Sequence, residues 1–288
     1  MRNGHFTRIS IGCLLCAATF FAGCNMRAKY QRTVRLSAPL SPSSTFAAQT
    51  HNGSITISGA PRLREDKLAP AEAGVADCSI VATITARAAS EQEAMELAEE
   101  VEISLEPSGN TLTVKIKKPT LLMNKSVGVS LDVTVPNQTN LELGTYNGAV
   151  AIADIAGRVR ATSHNGKVTT ERVSGGTELE THNGSITCRQ TSGDTKLRTH
   201  NGNVKAFYAE AASPVSDISI VTSNGSIELI APPDLSARIE ASTHNGSINT
   251  DLPITVSGKV TKRKLTGTIG SGEGRLHLET HNGPIRLR

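Results

Sequence analysis

The hexapeptide THNGSI at residues 181–186 occurs twice more in this chain, at 50–55 and at 243–248. Five near-copies accompany it: TYNGAV at 145, SHNGKV at 163, THNGNV at 199, TSNGSI at 222 and THNGPI at 280. The Asn of the copies lies at 52, 147, 165, 183, 201, 224, 245 and 282, and the three steps from 147 to 201 are equal in length. A fixed period of this kind is typical of a stacked repeat protein.

Apolar and polar residues alternate on both sides of each Asn-Gly pair. Around the copy at 181–186, Thr177 and Leu179 precede the pair, and Ile186 and Cys188 follow it. Alternation with period two predicts one strand before the pair and one after it. Glycines at 157, 175 and 193 mark a second turn in successive units. Each unit is therefore predicted to be a short β coil with two corners.

Two architectures fit a strand, an Asn-Gly turn and a second strand. In a hairpin meander the pair would form a type I′ turn, whereas in a β-solenoid the pairs would be corners stacked about 4.8 Å apart. Repetition of the same side chains favours the solenoid, because stacked Asn residues bond to each other. We expect positive φ at the corner Asn. The predicted corner ladder contains Asn147, Gly148, Asn165, Gly166, Asn183, Gly184, Asn201, Gly202, Asn224 and Asn245.

The sequence is therefore predicted to be all-β, a parallel β-helix or β-solenoid with coils of about 18 residues, within the range of known stacked repeats. A coil of this length has a narrow interior, and aromatic residues make up only 3% of the chain. The last step, from 245 to 282, is close to twice the length of one coil. We expect it to contain coil turns without the Asn-Gly signature, at SGKVTK (257–262) and TGTIGSGEG (266–274).

Residues 58–136 do not follow the tandem pattern. Ser90 and Glu93 have capping-box spacing at the start of SEQEAMELAEEVEISL, and Ala94, Leu97 and Ala98 then lie on one helical face. One short amphipathic α-helix is therefore predicted near 90–102. The section around it is expected to cap or widen the N-terminal coils, since an open solenoid end exposes unpaired strand groups. The tandem coils are expected over 145–288.

The N-terminus has the features of an export signal. Arg2 and Arg8 are followed by the apolar run ISIGCLLCAATFFAG, which is too short to span a bilayer comfortably as a helix. The run ends in Phe21-Ala22-Gly23-Cys24, which resembles the lipobox of bacterial lipoproteins. This resemblance implies lipidation of Cys24 and membrane anchoring. We expect a signal peptide at 1–23, a lipidated tether at 24–32 and a solenoid domain at 33–288.

Charge and cysteine content restrict the possible partners and crosslinks. Without Arg2 and Arg8, 28 of the 30 basic residues remain against 26 acidic residues. Near neutrality gives no basic stripe for nucleic acid. After Cys24, only Cys78 and Cys188 remain in the expected mature chain. An exported compartment would permit a disulfide between them, but the sequence favours the alternative, because free cysteine is also a common buried residue.

The sequence contains no recognisable catalytic motif. The GSGEG of 270–274 is followed by RLHLET, which has a strand pattern rather than the helix that a dinucleotide site requires. There is no H-E-x-x-H or G-x-S-x-G motif. His164, His182 and His200 occupy equivalent positions and are weak candidates for a Zn or Cu site, the alternative being an exposed polar ladder. We predict no enzymatic activity, no cofactor and no metal.

The T-x-N-G-x-I units and the closing GTIGSGEGRLHLETHNGPIRL resemble the bacterial putative adhesin family of β-solenoid domains, over about 33–288. This resemblance implies a right-handed parallel β-helix in an exported or envelope protein. The predicted function is a non-enzymatic adhesion or scaffold surface, on a lipoprotein that faces the periplasm or the cell exterior. Its partners would be the membrane, through Cys24, and an unknown envelope protein or polymer. The alternative is a carbohydrate-active β-helix protein, either a lyase or a lectin.

Overall fold

The structure is a computed structural model that describes residues 28–60, 76–119, 124–256 and 261–288. These residues form 23 strands and one helix, and the strands belong to two long sheets. In spatial order, the first sheet contains β1 (Ala28–Leu40), β4 (Ala76–Ala88), β7 (Ser126–Pro136), β3 (Ile55–Ala60), β9 (Val150–Ile155), β11 (Val168–Val173), β13 (Ile186–Thr191), β15 (Val204–Tyr208), β17 (Ile227–Ile230), β23 (Ile285–Leu287) and β19 (Ile248–Thr250).

The second sheet has twelve strands. In spatial order, it contains β20 (Thr255–Val256), β21 (Lys264–Ile269), β18 (Ala237–Asn245), β22 (Gly274–Asn282), β16 (Asp217–Asn224), β14 (Thr195–Asn201), β12 (Thr177–Asn183), β10 (Val159–Asn165), β8 (Asn140–Asn147), β2 (Thr45–Asn52), β6 (Thr111–Lys117) and β5 (Glu102–Ser108).

Each regular coil contributes one strand to each sheet. In the coil that begins at β10, the chain turns at Gly166 and Lys167 and continues as β11. β10 then pairs in parallel with β12, and β11 pairs in parallel with β13, so each strand lies beside the equivalent strand of the next coil. A hairpin meander would pair neighbouring strands antiparallel. The predicted β-solenoid fold is therefore confirmed, and the meander is excluded for these coils.

The core is a narrow column between the two sheets. Alternate residues of each strand point inward, so Leu179 of β12 and Ile186 of β13 are about 1% and 0% exposed. Phe46 near the N-terminal end is fully buried, and most other core positions hold Val, Ile, Leu or Ala. Small aliphatic side chains suit this space, because a coil of two short strands leaves little room for rings.

The N-terminal section closes one end of the stack with antiparallel strands. β1, β4 and β7 pair antiparallel in the first sheet, and β5 pairs antiparallel with β6 in the second. The predicted helix is present as α1 (Glu91–Glu99), capped by the Ser90 hydroxyl, which accepts a hydrogen bond from the Glu93 N–H at 3.3 Å. α1 packs on β1 and β4. Within the described ranges, no helix has the length and apolar content needed to cross a bilayer.

The C-terminal coil differs from the prediction. β22 and β23 do not follow β18 and β19 in the stack but lie between that coil and the coil of β16 and β17. The expected extra coil between 245 and 282 is absent from the described residues of that segment, where β20 and β21 form an antiparallel extension on the outer edge of β18. An interior place in the stack requires bonds on both sides. The coil of β22 and β23, which contains the signature copy at 280–285, bonds to a coil on each side. Residues 250–279, which precede this copy, contain no Asn-Gly pair.

Candidate functional site

The corner Asn side chains form one continuous chain of hydrogen bonds. Nδ2 of Asn183 donates to Oδ1 of Asn165 at 2.8 Å, and Oδ1 of Asn183 accepts from Nδ2 of Asn201 at 2.8 Å. All eight amides are joined in this way, in the order Asn52, Asn147, Asn165, Asn183, Asn201, Asn224, Asn282 and Asn245. Every amide after Asn52, which only accepts in this chain of bonds, donates in the same direction along the stack. An Asn at every step supplies both the donor and the acceptor that this chain of bonds requires.

The expected positive φ at the corner Asn is wrong. The described residues other than glycine with positive φ are Ser43, Asn124, Asp154, Arg172 and Gln190. The glycine after the Asn is needed for a different reason, the close approach of successive coils. A Cβ built on Gly184 would lie 2.1 Å from the carbonyl oxygen of Gly166, well inside van der Waals contact. The corner therefore requires a residue without a side chain.

The Thr or Ser that begins each signature also bonds to the neighbouring coil. The buried Thr181 hydroxyl donates to the Gly166 carbonyl at 3.0 Å, and the Thr199 hydroxyl donates to the Gly184 carbonyl at 2.9 Å. Equivalent bonds are made by Thr145, Ser163, Thr222, Thr243 and Thr280. The role of these hydroxyls was not predicted from the sequence. Their recurrence at buried positions between apolar residues was the available signal, because a buried hydroxyl requires a partner.

The residue before each Asn forms an outward-facing row, which we call the ring column. It contains His51, Tyr146, His164, His182 and His200, followed by Ser223 and then by His281 and His244. Centroids of adjacent stacked rings are 4.5–5.0 Å apart, and their planes differ by 2–9°. The ring spacing thus follows the strand spacing.

The candidate metal ligands His164, His182 and His200 belong to this column. Adjacent rings are 4.9 Å apart and almost parallel, at 2° and 8°. An imidazole binds a metal ion in its own plane, so parallel rings direct their nitrogens into separate planes rather than toward one ion. The structure contains no group of three or more His, Cys, Asp or Glu side chains arranged to hold a metal among the residues it describes.

The outer face of the second sheet also carries charges of alternating sign, two outward-facing positions before the ring column on each strand. One row consists of Glu142, Arg160, Glu178 and Lys196 on successive strands. Lys196 Nζ lies 3.0 Å from a Glu178 carboxylate oxygen, and Arg160 Nε lies 4.0 Å from the other. The hydrogen bond from Lys196 holds the pKa of Glu178 below its usual value. These side chains are 40–64% exposed, so the pairs contribute little to stability and remain accessible.

A second stacked feature lies at the end of the strands of the first sheet. Asp154, Arg172 and Gln190 occupy equivalent positions in three coils and have φ of 62°, 52° and 49°. The Arg172 guanidinium binds the Asp154 carboxylate with two bonds, Nε–Oδ1 at 2.5 Å and Nη2–Oδ2 at 3.0 Å. The hydrogen bonds from Arg172 lower the pKa of Asp154. No residue type repeats at these positions, so the sequence gives no signal for this feature.

Cys78 and Cys188 are too far apart to form a disulfide with each other. Both are buried in the first sheet, on β4 and β13, which are separated by four intervening strands. That separation is about 24 Å at the usual strand spacing, against less than about 7 Å between the Cα atoms of a disulfide. The predicted signal peptide, Cys24 and the tether up to residue 27 lie outside the described residues.

Comparisons with known proteins identify a family and a few distant structures. A family model described as Toastrack DUF4097 matches residues 95–288. A "putative cell adhesion protein" of Clostridium sporogenes is 12% identical, covering 88% of this chain and 98% of that one, with a TM-score of 0.37. A "putative adhesin" of Bacteroides fragilis is 12% identical, covering 89% and 97%, with a TM-score of 0.36.

A "putative lipid binding protein" of Parabacteroides distasonis is 11% identical, covering 89% of this chain and 96% of that one, with a TM-score of 0.24. TM-scores this low support no conclusion about this chain. No curated protein matches the sequence.

Proposed function

The chain belongs to the Toastrack DUF4097 family, and from this premise we propose that it is a cell-envelope lipoprotein whose solenoid is a non-enzymatic binding or scaffold surface. In this proposal, Cys24 anchors the protein in a membrane, and the outer face of the second sheet binds an extended envelope protein or polymer. The proposal includes no cofactor, metal ion or nucleic acid.

The observation that carries this proposal is the repetition of exposed side chains along the second sheet. The charged row and the ring column both advance by one strand per coil, so the ring column repeats rings about 4.8 Å apart and the charged row repeats each sign of charge about every 9.6 Å. An open groove of about 760 Å³ runs along the charged row and is lined by Glu142, Arg160, Glu178 and Lys196. A long, shallow and regular surface suits an extended partner better than a compact small molecule.

The geometry gives little support to the carbohydrate-active alternative. Sugar sites use the exposed faces of aromatic rings. Tyr146 is the most exposed aromatic residue of the second sheet in the described chain, at 45%. Both of its faces are covered, by His51 at 5.0 Å and by His164 at 4.5 Å. The carboxylate of Glu178 is paired with Lys196 and Arg160, which stabilises its charged form and makes it a weaker base for the proton abstraction that a lyase performs.

Site-specific photocrosslinking in intact cells tests the binding face. A photoreactive phenylalanine would replace Thr162 on the outer face of the second sheet, or Thr169 on the outer face of the first sheet in the same coil. We expect a discrete adduct from position 162 and none from position 169. Equal adducts from both positions, or none from either, would contradict the proposed face.

Membrane anchoring is tested separately by fractionation. We expect the Cys24→Ala variant to leave the membrane fraction and appear in soluble extracts. Treatment of the natural protein with globomycin, which blocks lipoprotein signal cleavage, should cause the unprocessed precursor to accumulate. Unchanged membrane retention of the Cys24→Ala variant, with unchanged processing under globomycin, would contradict lipidation at this residue.

A further inference from the structure

The ring column has one position without a ring between two ring-bearing strands, and that position is Ser223. β16 lies between β14 and β22, and its residues Thr222 and Asn224 pair with their counterparts on both strands. Ser223 therefore occupies the place that His200 fills in the preceding coil and His281 fills in the following one. His200 and His281 therefore lie two strands apart in the ring column, with no ring in the gap between them.

The dimensions of the gap suit a single planar ring. His200 and His281 are separated by two strand spacings, or about 9.6 Å. Tyr146 occupies the equivalent place between His51 and His164, with centroid distances of 5.0 and 4.5 Å and interplanar angles of 9° and 7°. The same fold thus already holds a phenol ring between two imidazoles that are two coils apart.

The floor of the gap offers one polar and one apolar group. Ser223 is half-buried, and its hydroxyl makes no hydrogen bond to any described residue. Val221 lies beside it on the same strand and is also half-buried. Both residues line an open groove of about 550 Å³, together with His200 and Arg198. A ring entering from this side would contact Val221 with its edge and could bond to the free hydroxyl.

We propose that the gap at Ser223 is a binding site for one planar aromatic ring that carries a hydrogen-bonding group, of the phenol class. The ring stacks between His200 and His281 in the arrangement that Tyr146 adopts within the chain. Parallel, offset stacking of this kind is favourable for aromatic groups. The site deepens the proposed function and rests on it, since it lies on the face assigned to the partner. Its test requires no envelope partner, so the site and the proposed function can fail independently.

Titration of the full-length protein with p-cresol tests the site, with the ring signals of the histidines followed by NMR. We expect saturable shifts at His200 and His281 with a Kd of about 1 mM, as is reasonable for so small a ligand. The Ser223→Tyr variant fills the gap from within and should bind p-cresol at least tenfold more weakly. Shifts that are absent, spread over all histidines or unchanged in Ser223→Tyr would overturn the proposal.

A matched control opens a second gap at the position where Tyr146 lies between two histidines. The Tyr146→Ser variant removes the ring between His51 and His164, and it should gain p-cresol-dependent shifts at those two residues. Failure of a folded Tyr146→Ser variant to gain them would also overturn the proposal. If this variant does not fold, the comparison of the natural protein with Ser223→Tyr still decides the question.

A second arm distinguishes a free aromatic compound from a tyrosine of a protein partner. An N-acetylated tripeptide with a central tyrosine carries the same ring on an extended backbone. Binding at least tenfold tighter than that of p-cresol would indicate a protein source, whereas equal binding would indicate recognition of the ring alone. Both results support the site, and the proposal is overturned if neither probe binds.

Discussion

Replacement of Gly184 by Ala tests the idea that close approach, rather than backbone conformation, requires glycine at the corner. The new Cβ would lie 2.1 Å from the carbonyl oxygen of Gly166, more than 1 Å closer than an ordinary contact. The two coils must separate locally, which breaks the bonds that join them there. We expect the free energy of unfolding to fall substantially.

The magnitude follows from three hydrogen bonds at this corner. The Gly166 N–H donates to the Asn183 carbonyl at 3.2 Å, the Thr181 hydroxyl donates to the Gly166 carbonyl at 3.0 Å, and the Asn183 amide donates to Asn165 at 2.8 Å. At about 1 kcal/mol net for each bond, the loss is about 3 kcal/mol. For a chain of this size, that loss lowers the Tm by roughly 6–12 °C.

Gly176 provides a matched control, because it lies at the second corner of the coil, directly before β12. A Cβ on Gly176 would lie 4.0 Å from its nearest neighbour, the Asp194 carbonyl oxygen, and the residue does not have positive φ. Gly176→Ala should therefore be neutral or stabilise the protein by about 0.4–1 kcal/mol, through the unfolded chain. Thermal melts followed by circular dichroism would compare the two variants. Equal Tm values for Gly184→Ala and Gly176→Ala would refute the close-approach explanation.

Three further outcomes are expected. Asn183→Ala removes two exposed amide hydrogen bonds and should lower the free energy of unfolding by about 1–2 kcal/mol. Asn52→Ala, at the end of the corner ladder, removes one such bond and should lower it by about half as much in urea melts. Equal, near-zero losses would contradict a contribution of the ladder to stability. Thr181→Val leaves the Gly166 carbonyl without its side-chain donor and should cost about 1–2 kcal/mol, so a melt identical to that of the natural protein would contradict this role. Burial raises the pKa of the Cys188 thiol to about 12. Iodoacetamide at pH 8 should therefore alkylate Cys188 only after the protein unfolds, as peptide mapping would show. Rapid alkylation of Cys188 in the folded protein would contradict its burial.

The period of the sequence was sufficient to predict the solenoid, because parallel stacking places identical side chains next to each other. Asn183 shows this most directly, since the equivalent residues of the two adjoining coils, Asn165 and Asn201, are also Asn. The conformation at the corner could not be predicted from the pair alone. Asn-Gly is compatible with positive φ in an isolated turn, whereas here the approach of Gly166 to Gly184 determines the choice of glycine.

Neither could the order of the last coils be predicted from the sequence. The copies at 243–248 and 280–285 both contain T-H-N-G, so the signature does not specify which of them pairs with the copy at 222–227. The deciding factor is which coil has a partner for its outer edge. β21 pairs antiparallel with β18, and that pairing places the 237–250 coil at the end of the stack. The spacing of a motif does not contain this information.

The insertion of β22 and β23 between two earlier coils also determines when the stack can be completed. A chain that folds as it is synthesised can add coils one after another as far as Ile230, but residues 237–250 cannot then take their final place, because the strands they pair with, β22 and β23, follow later in the chain. Their place exists only after residues 274–288 have paired with β16 and β17. A chain truncated before residue 274 would leave the edges of β16 and β17 unpaired, which is a template for joining another molecule. The segment 274–288 must therefore join the stack before residues 237–250 can dock, and until it does so the open edges of β16 and β17 can recruit a second molecule.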